Sequence, residues 1–142
     1  FFTGAGQTGN YIAGLGLSQW SGIILVQFIL LIMGFFLDPF VIIVLVMPIV
    51  RPLILTYGLD PVWFGILFII NMSVGLLTPP IGLNIFYLKP IAPEGTTMQE
   101  LYAAAMPFAI LGLVGLIIVM IFPGIALWLP SLMFGGGPAP YK

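Results

Sequence analysis

Apolar runs separated by short polar punctuation organise this chain. Residues 1–20 are Gly-rich and mildly polar, and read as the end of an upstream helix plus a connection. Trp20 then sits where aromatics gather at a membrane–water boundary. An uncharged run follows from Ser21 to Leu37, and Asp38-Pro39 interrupts it. A second run reaches Gly58 and contains Pro48, Arg51 and Pro52. Leu59-Asp60-Pro61 reads as a turn and helix start, because proline suits a first helical turn. Pro61 to Leu88 is again uncharged but is broken inside by Thr78-Pro79-Pro80. Residues 89–100 form a polar loop, and 101–122 are long enough for one membrane crossing, which needs about 20 residues. A tail over 123–142 ends in Gly135-Gly136-Gly137-Pro138, with nothing to build a core.

Composition decides which solvent these runs face. Apolar residues make up 61%, charged residues 5%, and mean hydropathy is +1.26. A soluble domain carries about 25% charged residues to wet its surface, so the pattern predicts an all-α integral membrane bundle. The three basic and four acidic residues form no cluster, and no nucleic-acid partner is expected. Cysteine and histidine are both absent, which excludes disulfides, thiolate chemistry, Cys/His zinc sites and imidazole catalysis. No nucleophile–base pair stands out, so no enzyme is expected. The start at Phe1-Phe2-Thr3 shows neither initiator Met nor signal peptide, and the chain is expected to be a fragment of a longer protein.

Candidate chemistry lies at the two interruptions. Residues 21–37 would span about 25 Å as a helix, short of a bilayer core of about 30 Å. Two readings stand for 21–57: two ordinary spans joined by a tight turn, or a re-entrant hairpin with Asp38 at its tip. Pro79 and Pro80 withdraw two successive backbone donors and free carbonyls near residues 75 and 76. In lipid such groups must meet a cavity, an ion or another helix. Asn71, Gly75, Thr78 and Gly82 follow helical spacing along one polar, small-residue face. That face could equally be a packing seam between helices.

The same stretches resemble the large membrane subunit of tripartite ATP-independent periplasmic (TRAP) transporters, the dicarboxylate-type M subunit. The match is carried by Met33-Gly34-Phe35-Phe36-Leu37-Asp38, by Met47-Pro48-Ile49, and by Gly58-Leu59-Asp60-Pro61-Val62-Trp63-Phe64-Gly65. It is carried most of all by Asn71-Met72-Ser73-Val74-Gly75-Leu76-Leu77-Thr78-Pro79-Pro80-Ile81-Gly82-Leu83-Asn84, and Leu127 to Leu132 matches the usual ending. The resemblance implies half of an inverted-repeat, elevator-type transporter. In it 21–57 is a re-entrant helical hairpin and 58–88 a discontinuous transmembrane helix. It also implies sodium-coupled transport of organic acids (C4-dicarboxylates or sialic acids) across a bacterial inner membrane. A small membrane subunit and a periplasmic substrate-binding protein would be the partners, and sodium the coupling ion, with no other cofactor. The tail would be periplasmic and the 89–100 loop cytoplasmic. One departure is plain: Pro39-Phe40 stands where the family carries Gly-Thr, so the hydroxyl-bearing tip is missing.

The candidate substrate- and ion-binding residues are therefore Asp38, Asn71, Gly75, Thr78 and Pro79. Thr78 would offer its hydroxyl and Gly75 its carbonyl to sodium, while Asn71 orients the break. Asp38 would bind an ion indirectly or cap the second arm. Arg51 lies about 20 Å of helix from Asp38, too far to pair along one arm, and is expected to snorkel near Tyr57. The alternative function is a channel-lining or purely structural membrane subunit without coupled transport.

Overall fold

The computed structural model describes residues 18–133, so expectations for 1–17 and 134–142 lie outside the described residues. Among the described residues six α-helices follow one another: α1 (Gln19–Gly34), α2 (Pro39–Tyr57), α3 (Pro61–Leu77), α4 (Leu83–Leu88), α5 (Met98–Ile121) and α6 (Pro123–Met133). A single 3-10 turn covers Lys89–Ile91. Among the described residues there is no strand, as the all-α expectation requires. The C-terminal segment, read from sequence only as a tail, thus begins with a helix of its own.

Local chemistry sets each start. Asp38 caps α2 by accepting the Phe40 N–H at 2.8 Å, with Pro39 fixing the first turn. Asp60 does the same for α3, accepting from Val62 at 2.8 Å and Trp63 at 3.2 Å. Thr97 and Glu100 form a reciprocal capping box, so α5 starts at Met98, ahead of the uncharged run from Leu101. Gly58, at φ +62°, ends α2 in a left-handed conformation that costs a glycine nothing.

α3 is the central helix. It buries Trp63, Phe64, Leu67, Phe68, Asn71, Met72, Val74 and Gly75, packing α1 on one side and α5 on the other. The α1 side is parallel: Gln27 meets Asn71, and Gly34 meets Met72 and Gly75. The α5 side is antiparallel. Trp63 donates its indole N–H to the Val119 carbonyl at 2.9 Å, Val74 presses on Gly112, and Tyr102 reaches Ile81. A Cβ on Gly112 would stand 2.6 Å from Val74 Cγ2, so any larger residue would force the Val74 side chain to shift.

α1 and α2 run antiparallel, with Gly22 beneath the Tyr57 ring. Both ends of this helical pair return to one pole of the bundle. There a cleft of about 250 Å³ is lined by Gln19, Trp20, Gly58, Asp60, Trp63 and Leu127, among others. Elsewhere the surface is strongly apolar: Leu55, Ile69, Phe108 and Leu132 are each more than 60% exposed. So much exposed apolar area belongs against lipid or further protein. α2 and α5 are long and apolar enough to cross a membrane, while α1 and α3 are shorter.

Candidate functional site

The turn between α1 and α2 and the gap between α3 and α4 come together through two glycines. A Cβ on Gly75 would stand 2.9 Å from Gly34 Cα and C and 3.0 Å from its carbonyl oxygen. These are backbone atoms with no room to yield, so the end of α1 touches the last turn of α3 main chain to main chain. Gly34 has no role in the sequence-derived site, although it lies within the family-like Met33-to-Asp38 stretch.

The gap itself is built by Thr78, the proline pair, Ile81 and Gly82. α3 stops at Leu77, and Thr78 takes an extended conformation at φ −99° and ψ 138°. Neither Pro79 nor Pro80 has an N–H for the Gly75 and Leu76 carbonyls that a continuing helix would satisfy. Thr78 makes good part of the loss. Its N–H donates to the Gly75 carbonyl at 3.1 Å and its hydroxyl to the Val74 carbonyl at 2.7 Å. Having donated its one proton, that hydroxyl keeps acceptor capacity for another group.

Beyond the prolines, Gly82 turns the chain at φ +55° and ψ 64° into α4. Tyr102 of α5 secures this exit. Its hydroxyl donates to the Ile81 carbonyl at 2.7 Å and leans towards that of Pro80 at 3.4 Å. A Cβ on Gly82 would lie 2.9 Å from the Tyr102 ring.

Asn71 is fully buried one turn before Gly75. Its Nδ2 donates to the main-chain carbonyl of Gln27 at 2.7 Å and to the Gln27 side-chain oxygen at 2.6 Å. Asp38 remains exposed at the start of α2, occupied with its capping bond. Arg51 is exposed on α2.

The sequence-derived residues therefore divide. Gly75, Thr78 and Pro79 share the helix break, and Asn71 lies one turn below. Asp38 has no hydrogen bond to the break among the described residues. The single face drawn through Asn71, Gly75, Thr78 and Gly82 does not persist. Asn71 and Gly75 face α1, whereas Gly82 faces Tyr102 of α5. Helical spacing carries direction only while the helix continues, and this one ends at Leu77. Gln27, Gly34 and Tyr102 escaped the sequence reading. Gln27 had left a signal as the one carboxamide inside the apolar run from Ser21 to Leu37, and Gly34 another inside the family-like Met33-to-Asp38 stretch.

A helix break held by Thr78 and Tyr102, seated against a helical turn of an apolar bundle with Pro79 and Pro80 at its surface, defines a membrane helical unit built around irregular backbone. Such backbone is tolerated at membrane depth only against protein or a polar cavity. The family model described as "Tripartite ATP-independent periplasmic transporter, DctM component" matches residues 2–125, and the chain belongs to that family. A "C4-dicarboxylate TRAP transporter large permease protein DctM" of Pseudomonas aeruginosa is 40% identical over 124 residues. That alignment takes in 86% of this chain and 28% of the relative. The Vibrio cholerae protein of the same description is 38% identical over 120 residues, covering 84% of this chain and 26% of the relative. A "Sialic acid TRAP transporter permease protein SiaT" of Haemophilus influenzae is 29% identical over 111 residues, covering 78% and 18% respectively. The chain thus spans little more than a quarter of the dicarboxylate permeases it resembles. No solved structure matches it.

Proposed function

We propose that this chain is the part of a large TRAP permease that carries one helical hairpin and one broken helix, and that it serves sodium-coupled secondary transport of an organic acid. The observation that carries the reading is the meeting of Gly34 and Gly75, which seats the α1–α2 turn beside an interrupted helix. Thr78 keeps acceptor lone pairs there, and Pro80 leaves the Leu76 carbonyl without a helical donor. Oxygens of this kind suit a hard cation such as sodium. Thr78 and Gly75 are its proposed ligands, with Pro79 shaping the gap and Asp38 closing the second arm.

Depth supports re-entry. Val74, next to Gly75, contacts Gly112 near the middle of α5, the longest helix. A hairpin whose end reaches only that level stops within the bilayer rather than beyond it. Transport then proceeds by alternating access, without chemical change to the solute. The complete permease works in a bacterial inner membrane with a small membrane subunit and a periplasmic binding protein. The organic acid is of the C4-dicarboxylate or sialic-acid type, the classes named in its relatives.

The test uses the complete permease and its two partners in vesicles, with labelled succinate and a labelled sialic acid. Uptake above the external concentration, driven by inward sodium and absent with potassium, is expected for one of them. Downhill flux alone would move the protein to the channel class. A cysteine replacing Phe40, at the start of the second arm, tests the hairpin. Its labelling from the face opposite Trp20 would make α1 and α2 ordinary spans.

The Gly34–Gly75 contact also favours a second reading, a packing seam with no ion. The two differ in what Thr78 does, since a seam needs no hydroxyl.

A further inference from the structure

The contact between α1 and α3 contains one polar junction, and its hydrogen bonding is incomplete. Gln27 is 5% exposed and Asn71 0%. The orientation of the Asn71 amide is fixed by its neighbours. The main-chain carbonyl of Gln27, 2.7 Å away, can only accept, so the group facing it must be the Asn71 NH₂. That NH₂ also lies 2.6 Å from the Gln27 side chain, which must turn its oxygen inward. Two atoms are thereby left without partners, the Gln27 Nε2 donor and the Asn71 Oδ1 acceptor, and both are buried. Exchanging O and N on either amide would set donor against donor or acceptor against acceptor.

Leaving a buried donor and a buried acceptor unanswered is costly, and native interiors answer such atoms with ordered water. The chemistry of this pair selects the guest. A cation would be drawn to Asn71 Oδ1 but would meet the positive end of the Gln27 amide. An anion would meet the opposite conflict. A small neutral hydroxyl, which accepts and donates at once, matches both atoms in hydrogen-bonding chemistry. Its source is water or a hydroxyl side chain of the permease.

We propose that Gln27 is a positioning residue of the candidate site: with Asn71 and a buried water it forms a polar lock that fixes the register in which Gly34 meets Gly75. The lock lies between Trp63, near one pole, and the break, and it supplies the side-chain hydrogen bonds between α1 and α3 among the described residues. An apolar seam can slide by small steps, whereas a hydrogen-bonded amide pair holds one register. The proposal stands without the transport reading, but its functional consequence rests on it.

A map of the complete permease at a resolution that shows ordered water tests the lock directly. The expected result is density bridging Gln27 Nε2 and Asn71 Oδ1 at hydrogen-bond distances, unchanged between sodium and potassium buffers. A serine or threonine hydroxyl in that place would replace water as the source and overturn the buried-water proposal. Density present only in sodium, or amides rearranged to satisfy each other, would also overturn it.

The functional arm compares Gln27→Met, which keeps length and apolar volume, with the exchanged pair Gln27→Asn/Asn71→Gln, which keeps both amides. Gln27→Met should yield folded permease with a raised sodium half-saturation, and the exchanged pair should recover towards wild type. Folded Gln27→Met with wild-type sodium dependence would remove the positioning role. Should Gln27→Met not fold, recovery of fold and sodium dependence in the exchanged pair supports the lock, and its failure to recover counts against it. Wild-type vesicles that show no sodium-driven uptake would strike the transport reading alone, because the map still decides the lock.

Discussion

Two regions of this chain carry paired prolines, and they use them in opposite ways. α2 contains Pro48 and Pro52 and runs as one helix from Pro39 to Tyr57. The α3–α4 segment contains Pro79 and Pro80, and the helix ends before them. Spacing accounts for part of the difference. Prolines four apart remove single donors in successive turns, so each lost bond is flanked by intact ones. Adjacent prolines remove two successive bonds and push the residue before them out of helical conformation.

The surroundings account for the rest. Exposure does not separate them, since Pro48, Pro79 and Pro80 all face outward. At the second site Thr78 satisfies two carbonyls, Gly82 accepts a left-handed turn, and Tyr102 holds the Ile81 carbonyl. A proline weakens a helix, but a break persists where neighbours satisfy the freed backbone.

The largest effect should come from undoing that difference. Replacing Pro79 and Pro80 by Ala restores two donors and gains about 3 kcal/mol of helix propensity each. The variant is expected to lose sodium-driven uptake in vesicles, while Pro48→Ala keeps it close to wild type. Equal loss in both, or full uptake by the double variant, would end the distinction between the two regions.

Gly75 is next. An added methyl would collide with the Gly34 main chain, which has no rotamer to escape into. Gly75→Ala should lower stability by about 1–3 kcal/mol, read as a reduced unfolding temperature of the detergent-purified permease. The corresponding change at Gly65, where an added Cβ would meet nothing within 4 Å, should be tolerated. Similar behaviour of the two variants would mean that the close approach is not maintained in the assembled protein.

Much of this fold was legible in the residues. The apolar runs gave the helices, Asp38-Pro39 and Asp60-Pro61 gave two starts, and Thr78-Pro79-Pro80 gave the break. All three are local signals, written in backbone donors and caps. What stayed hidden is what lies across each helix. Glycine at position 34 means little until it is set against Gly75, and Tyr102 is ordinary until α5 brings it to Ile81. The α6 helix was missed because 123–142 was judged by its Gly- and Pro-rich end, although Pro123 opens the segment and proline is at home in a first helical turn. Which residues share the site depends on helix pairing, and pairing in a mostly apolar chain leaves little polar pattern to read.

Thr78→Val separates the ion reading from the seam reading with a smaller effect. The substitution keeps volume and removes the hydroxyl that donates to Val74. Loss of one oxygen ligand is expected to weaken sodium by about 1 kcal/mol, roughly fivefold in half-saturation. The folded complex should still be recovered. Unchanged sodium dependence would take Thr78 out of the ligand set and favour the seam.

The smallest effect is expected at Tyr102, and it asks whether the exit of the break needs holding at all. Tyr102→Phe keeps the ring against Gly82 and removes only the hydroxyl bond to Ile81. The half-buried Ile81 carbonyl would then seek another donor or water, at a cost of about 0.5–1.5 kcal/mol. Amide hydrogen exchange should accelerate at Leu83 to Ile85 while the Leu67 to Met72 amides of α3 stay protected, because the lost bond lies only on the α4 side. Faster exchange on both sides would mean that Tyr102 supports the whole broken helix, and its contrast with proline-bearing α2 would then rest on one side chain of α5. Unchanged exchange on both sides would leave the break to Thr78, Gly82 and the prolines alone.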